Sequence, residues 1–150
     1  MAEKMKIKPP YIALFYLLIA IVLDIFLSSA KLILFPYNLI GTFLIIIGVW
    51  IIIVATSLFK KNGTPKSPFK EPKVFVASGP YKFTRNPMYL GVTTVSLGIA
   101  TLFGNLIVFL APLAFFLTIN FTRIPKEEKI MEKLFGQNYA DYKNKVRRWL

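Results

Sequence analysis

The chain has 150 residues, 55% of them apolar, and carries nineteen Lys and Arg against seven Asp and Glu, a formal net charge of +12. Its mean hydropathy is +0.57. A soluble domain of this length has too little interior to bury so much apolar surface, so the composition predicts a single integral membrane domain. The basic residues lie between long uncharged stretches, which indicates a membrane surface rather than nucleic acid as their partner.

The sequence contains no cysteine and no histidine. Disulfides, thiolate nucleophiles, Ser-His-Asp triads and the common zinc sites are therefore excluded. Because the acidic residues are few and mostly in predicted helices, we predict no metal site. Catalysis must depend on carboxylates, Arg, Lys, Tyr, Asn and backbone groups, or on a cofactor that carries its own reactive carbon.

Four apolar segments predict an all-α integral membrane fold with four transmembrane helices. The predicted helices cover residues 11–28, 39–58, 87–103 and 106–122. Gly104 and Asn105 lie in the middle of one charge-free stretch, and they predict the tight turn between the third and fourth helices. Each of these two helices then has about 17 residues, the short end of what crosses a ~30 Å hydrocarbon core.

Asp24 is the one acidic residue inside a predicted spanning helix, which makes it a functional candidate by default. With Lys8 at the membrane face, the helical rise places Asp24 about 24 Å away, near the opposite interface. There it can reach water or Lys31, so we predict no functional role for it.

The distribution of positive charge predicts the orientation. If the chain crosses the membrane four times, eighteen of its nineteen basic residues fall on one side, and an excess of Lys and Arg marks the cytosolic side. The prediction is a multi-pass protein with both termini in the cytosol. Residues 125–149 have helical periodicity and predict amphipathic cytosolic helices that break at Gly136.

The start of the third helix is the first candidate site. Asn86 followed by Pro87 is a helix-start signal, because Asn caps free amides and Pro suits the first helical position. Such a helix end binds carboxylate or phosphate. Arg85 adds a cation that can hold a carboxylate through two parallel hydrogen bonds, and Tyr81 and Tyr89 offer rings for a nucleobase or a sulfonium. Taken alone, these residues suit a simple interfacial anchor equally well.

A second polar cluster begins where the fourth helix ends. Pro125 starts a helix, and Glu127 and Glu128 in its first turn complement the helix dipole. Arg123 and Glu127 both lie within about one turn of the membrane face. Taken singly, they are equally well explained by dipole complementarity and by the excess of cytosolic arginine.

Together the two clusters resemble the isoprenylcysteine carboxyl methyltransferase family and its phospholipid methyltransferase relatives, membrane enzymes that use S-adenosylmethionine. The resemblance covers roughly residues 62–149, with Gly63-Thr64-Pro65 and Val74 similar to bacterial and archaeal members. Its main motifs are Gly79-x-Tyr81-x-x-x-Arg85-Asn86-Pro87-Met88-Tyr89-x-Gly91, Arg123-x-x-x-Glu127-Glu128, Leu134-Phe135-Gly136-x-x-Tyr139-x-x-Tyr142 and Val146-x-Arg148.

The resemblance implies roles for the matching residues. Arg123 resembles the arginine that meets the substrate, and Glu127 resembles an acid that binds the ribose or the amino group of the cofactor. Arg123 and Arg85 are the candidate catalytic residues, because either can position an anionic nucleophile. The other candidate cofactor-binding residues are Lys73, Val74, Phe75, Val76, Tyr81, Asn86, Pro87, Met88 and Tyr89. Many relatives carry His where this chain has Asn86, which donates hydrogen bonds but does not titrate.

We therefore predict a methyltransferase that uses S-adenosylmethionine, releases S-adenosylhomocysteine and methylates a carboxylate of a prenylcysteine-like or other lipid-like substrate. An ionised carboxylate needs no general base, so the protein must align the reactants, hold the anion and exclude water. Two alternatives remain: a phospholipid amine methyltransferase, with Glu127 or Glu128 as the base, and a non-catalytic scaffold or anionic-lipid-binding protein. The natural acceptor and the oligomeric state stay open.

Overall fold

A computed structural model describes residues 7–61 and 75–150, and within those residues the fold is all-helical, as predicted. The α-helices are α1 (Pro9–Leu27), α2 (Ile40–Lys61), α3 (Pro87–Phe103), α4 (Leu110–Thr118) and α5 (Ile124–Lys145). Short 3-10 turns precede α2, α3 and α4, at Tyr37–Leu39, Gly79–Lys82 and Ile107–Phe109. A π-helical turn, Ile119–Arg123, joins α4 directly to α5.

Helix α3 runs from Pro87 to Phe103 and is followed by Gly104, as the sequence predicts. Pro87 occupies the first turn, where a missing N–H costs nothing. At the other end Gly104 adopts the left-handed conformation (φ 73°), and its amide donates to the carbonyl of Ala100 at 2.9 Å. This closes the helix and starts the turn toward α4.

Three helical stretches are long and apolar enough to cross a membrane: Pro9–Leu27, Tyr37–Leu58 and Ile107–Lys145. A fourth apolar helix, Pro87–Phe103, has 17 residues. The 39 residues of Ile107–Lys145 would extend about 58 Å, well beyond a ~30 Å core. The mostly apolar part of this stretch lies before Arg123, and its other charged residues follow that position. These features are those of a membrane protein.

Helices α2 and α3 run antiparallel and touch through glycine. A Cβ atom on Gly48 would lie 2.7 Å from the carbonyl oxygen of Gly91, and one on Gly98 would lie 2.7 Å from that of Gly41. Small residues let helix backbones approach closely where no hydrophobic effect operates between them. The opposite face of α2, which includes Trp50, is exposed and suits lipid.

Near the end of α1, Asp24 is buried, and its carboxylate accepts hydrogen bonds from Ser29 Oγ and Asn105 Nδ2. The Ser29 hydroxyl also accepts the amide of Ile107 at 3.2 Å. The positive charge of Lys31 also acts on this carboxylate, as the sequence predicted. The two hydrogen bonds, which the sequence did not predict, tie the end of α1 to the turn between α3 and α4, a structural role.

Helices α1 to α4 alternate in direction along the chain. Helix α3 packs against α1, α2 and α4. Because Arg123 donates to the carbonyl of Ile7, the beginning of α1 and the end of the π turn lie at one end of the bundle. The start of α3 lies there too, since Tyr89, Phe115, Ile119 and Ile124 share one buried cluster. We call this the site end.

Helix α5 differs from the predicted helices over 125–149. It kinks at Gly136 (φ 50°, ψ −125°), where we predicted a break, and it ends at Lys145 rather than continuing to 149. Val146 is extended (φ −118°, ψ 130°). Beyond the helix end, the carbonyls of Arg147 and Arg148 accept hydrogen bonds from the segment before α3.

Candidate functional site

Tyr89 and Glu127 form the centre of the site. Tyr89 lies in the first turn of α3 and Glu127 in the first turn of α5, and the phenol donates to Glu127 Oε1 at 2.5 Å. Tyr89 is 7% exposed. The two sequence clusters are therefore brought together at one point.

Arg123 lies at the end of the π turn, one helical turn before Glu127, and is 7% exposed. Its Nη2 donates to the carbonyl of Ile7. Its Nη1 is buried and has no hydrogen-bond partner among the described residues. A buried cationic N–H without a partner is costly, so this guanidinium edge suits an anionic ligand. π turns recur at functional sites because they redirect one side chain within a helix.

Burial raises the pKa of the Glu127 carboxyl above its ordinary value, while the Tyr89 hydrogen bond and the positive charge of Arg123 act in the opposite direction. Tyr81 belongs to the same group. Burial raises the pKa of its phenol well above the usual range, and the nearby Tyr142 and Glu127 raise it further. Both effects reflect a site that is shielded from water.

Tyr81 is held in place from both sides. Its carbonyl accepts the phenol of Tyr142 at 2.6 Å, and its ring shares a buried cluster with Val76, with Met88 packed against that cluster. The Tyr81 ring, predicted to face a ligand, is thus fixed by a hydrogen bond at its backbone and by a buried apolar cluster.

The predicted side-chain cap of α3 is not formed. Asn86 occupies the N-cap position, but its Nδ2 donates to the carbonyl of Arg148 at 3.0 Å. Its own carbonyl accepts the amide of Leu90 at 2.9 Å. No side chain caps the helix, so the amides of Met88 and Tyr89 keep the capacity to bind an anion.

Arg85 has a carboxylate partner within the protein. Its Nη1 lies 3.1 Å from Glu128 Oε1, and both side chains are below 10% exposed. Arg148 lies on the other side of the same carboxylate, 2.8 Å from Oε2. Arg85 and Glu128 therefore offset each other's charge in a buried ion cluster. Nε of Arg85, like Nη1 of Arg123, is buried and has no hydrogen-bond partner among the described residues.

Phe75 joins the segment before α3 to α5. Its ring centroid lies 5.5 Å from that of Phe135, 6.1 Å from Tyr139 and 5.1 Å from Tyr142. Lys73 and Val74, the other candidates from this segment, lie outside the described residues.

Sequence reasoning gave no role to Asn120, Arg148 or Trp149. Asn120 Oδ1 accepts Trp149 Nε1 at 3.0 Å and Arg148 Nη1 at 3.3 Å. The available signals were the Val146-x-Arg148 motif and an amide side chain at the end of an apolar span.

Two comparisons with known proteins indicate what the chain is similar to. A sequence model of a family described as phospholipid methyltransferase matches residues 37–138, which include Tyr89, Arg123 and Glu127. An uncharacterized protein of Haemophilus influenzae is 41% identical over 63 residues, which are 42% of this chain and the whole of that protein.

Proposed function

This chain belongs to the phospholipid methyltransferase family, and we propose that it transfers a methyl group from S-adenosylmethionine to a carboxylate of a lipid-like substrate. Membership of the family implies a membrane methyltransferase that acts on lipid-like substrates. The carboxylate acceptor and the residues that bind it are our proposal. The site proposed consists of Tyr81, the start of α3, Arg123 and Glu127.

The observation that carries the proposal is the buried Nη1 of Arg123, which lies near the Tyr89–Glu127 pair and has no hydrogen-bond partner among the described residues. A guanidinium that is mostly buried, with one terminal nitrogen bound to Ile7 and the other without a partner among the described residues, suits an acceptor carboxylate. Arginine recognises carboxylates through two parallel hydrogen bonds. We therefore give Arg123 the role of orienting the nucleophile.

The polar and aromatic groups around Arg123 suit S-adenosylmethionine. Glu127 offers a carboxylate to hydroxyl or amino groups, the uncapped start of α3 offers amides to a carboxylate, and Tyr81 and Tyr89 offer aromatic surface. When bound, S-adenosylmethionine supplies an electrophilic methyl group. We keep Phe75, Val76, Pro87 and Met88 as supporting residues of the cofactor pocket, with Lys73 and Val74 proposed from sequence alone.

The protein's own contribution is orientation and shielding. A carboxylate acceptor is already ionised, so the site needs no proton transfer and Arg123 need only fix the anion in line with the methyl group. Burial of Tyr89, Arg123 and Tyr81 excludes water that would compete as a nucleophile. Arg85, paired with Glu128, supports the site rather than contacting the acceptor in this proposal.

We propose that the chain crosses the membrane four times, with the site end and both termini in the cytosol. The alternating helices and the strongly one-sided basic residues support this orientation. The cofactor would then reach the site from the cytosol, and the substrate tail would enter between helices from the bilayer.

Methylation of a phospholipid amine is the second candidate, favoured by the family to which the chain belongs. An amine must lose a proton before it attacks. Glu127, whose pKa burial raises, is then the available base, because Glu128 is held between Arg85 and Arg148. The positive charge of Arg123 beside the site favours the carboxylate.

The test is a methyl-transfer assay with labelled S-adenosylmethionine in detergent or liposomes, with prenylcysteine analogues, fatty acids and phosphatidylethanolamine as acceptors. We expect label in a product that base releases, which identifies a methyl ester. Label only in base-stable amine products would replace the first candidate by the second. Absence of transfer, together with salt-sensitive binding to anionic vesicles that Arg123→Lys leaves unchanged, would favour a non-catalytic lipid-binding protein.

A further inference from the structure

Residues 146–149, which we call the strap, follow α5 and lie across the site end. The strap is tied to the segment that precedes α3 through its backbone. Three hydrogen bonds join the carbonyls of Arg147 and Arg148 to the amide of Arg85 and to the side chains of Asn86 and Thr84, at 3.0, 3.0 and 3.1 Å. Together they fix the position of the strap relative to the start of α3.

The side chains of the strap reach two further elements. Arg148 forms an ion pair with Glu128 of α5 at 2.8 Å and donates to Asn120 of the π turn at 3.3 Å. Trp149 donates to the same Asn120 oxygen at 3.0 Å, and its ring lies 4.5 Å from that of Phe116. The strap therefore connects the start of α3, the π turn and α5, which it contacts at Glu128 near the helix start.

Those three elements carry Tyr89, Arg123 and Glu127 respectively. We infer that the strap holds the three elements in the relative position that the ligand requires, with Arg148 and Asn86 as positioning residues. The effect of the strap on ligand binding rests on the function proposed above. The role of the strap in fixing the segment before α3 is independent of that function.

This inference gives a reason for the side chain at position 86. Asn86 donates to the carbonyl of Arg148 and leaves the start of α3 without a side-chain cap. The position then needs a hydrogen-bond donor of the right reach and not a group that titrates. Histidine can donate an N–H to the same carbonyl, whereas aspartate, which is closest to asparagine in shape, presents an acceptor.

The experiment compares Asn86→Asp with Asn86→His in the full chain in detergent. Two quantities are measured: the Kd for S-adenosylhomocysteine at a temperature where every variant is folded, and hydrogen exchange, without ligand, of the peptide that contains Arg85. Tyr16→Phe is the matched control, because it removes a 2.8 Å hydrogen bond to Thr118 that involves no strap residue.

For Asn86→Asp we expect a Kd raised about three- to tenfold, the effect of one lost hydrogen bond, and faster exchange at the Arg85 amide. Asn86→His should bring both quantities back toward wild type. Tyr16→Phe should lower the melting temperature without changing either quantity. A purely structural role of Asn86 would lower the melting temperature alone and leave the Kd of the folded protein unchanged.

An unchanged Kd in Asn86→Asp, or equal weakening in Asn86→His, would overturn the positioning role. If wild-type protein binds no S-adenosylhomocysteine, the proposed function fails, and the exchange measurement still tests the strap. Unchanged exchange of the Arg85 peptide in Asn86→Asp would then overturn the strap itself. Arg148→Ala removes one partner of a buried ion pair and risks unfolding, which is why the smaller change at Asn86 is preferred.

Discussion

Tyr89 and Glu127 lie 38 positions apart in the chain, and the phenol of Tyr89 donates a 2.5 Å hydrogen bond to the carboxylate of Glu127. This contact joins the start of α3 to the first turn of α5. It brings the two sequence clusters into one buried place, with Arg123 one helical turn away.

Replacement of Tyr89 by Phe keeps the ring and removes the donor to Glu127. We expect the affinity for S-adenosylhomocysteine to fall about ten- to a hundredfold, because the buried carboxylate loses a hydrogen bond of ~1.5–3 kcal/mol. Isothermal titration in detergent measures the change. Tyr37→Phe, at an exposed tyrosine, is the control and should bind like wild type. Equal affinity in Tyr89→Phe and wild type would show that the contact does not support ligand binding.

Arg123→Lys tests the contact proposed between Nη1 of Arg123 and the acceptor carboxylate. Lysine keeps the charge, but it has a single terminal nitrogen. It cannot reproduce the two separate nitrogens with which arginine would hold the Ile7 carbonyl and a carboxylate. We expect kcat/KM to fall roughly ten- to a hundredfold, the effect of losing a hydrogen bond to a charged group. Arg147→Lys, at an exposed side chain, is the control. If Arg123→Lys is as active as Arg147→Lys, the acceptor is held by other residues.

The pH dependence of binding reports on Glu127. Burial raises the pKa of this carboxyl above the ordinary value of 4.5, so it takes up a proton at a higher pH than an exposed acid does. If the ligand requires the ionised form, affinity falls as the pH decreases through the raised pKa, by about tenfold per pH unit below it. The measurement is Kd against pH for wild type and Glu127→Gln.

In the wild type, the midpoint of the change in Kd should lie at a pH above 4.5. Glu127→Gln should bind weakly, and its Kd should not change with pH in that range. A wild-type midpoint at or below the ordinary value would mean that Glu127 is not shielded in solution. A profile shared by both proteins would assign the titration to another group.

Gly48→Leu tests the close contact between α2 and α3. A Cβ at this position would lie 2.7 Å from the carbonyl of Gly91, which is backbone and cannot move aside without separating the helices. Overpacking of this kind costs typically about 1–3 kcal/mol. We expect a lower melting temperature and less monodisperse protein in gel filtration. Ile47→Leu, on the exposed face of the same helix, should behave like wild type, and equal stability of the two variants would contradict the tight packing.

Much of the architecture could be predicted from the sequence, because the length of an apolar segment and the Pro or Gly at a helix end are local signals. The Gly104 turn and Pro87 at the start of α3 follow from single residues, and the hydropathy of α1 and α2 from their own composition. Tyr89 and Glu127 were assigned to one cofactor through the resemblance to a family, and no local signal predicted their contact.

The partners of charged and amide side chains could not be predicted, because burial and chain folding decide them. Asn86 was predicted to cap its own helix, but the carbonyl of Arg148, 62 positions away, takes its N–H group. Arg85 was predicted to meet a substrate carboxylate, and its partner in the structure is Glu128. The glycines of α2 and α3 recur at seven-residue spacing, a signal of helix contact that was visible but not used.

The central claim is that Tyr89, Arg123 and Glu127 form one binding site for the methyl donor. The most direct measurement is the melting temperature in detergent with and without S-adenosylhomocysteine, for wild type and Glu127→Ala. The account predicts a rise in wild type, equivalent to about 2.7 kcal/mol at a ligand concentration of 100 Kd, and no rise in Glu127→Ala. No shift of the wild type at millimolar ligand, or an equal shift of both proteins, would contradict it.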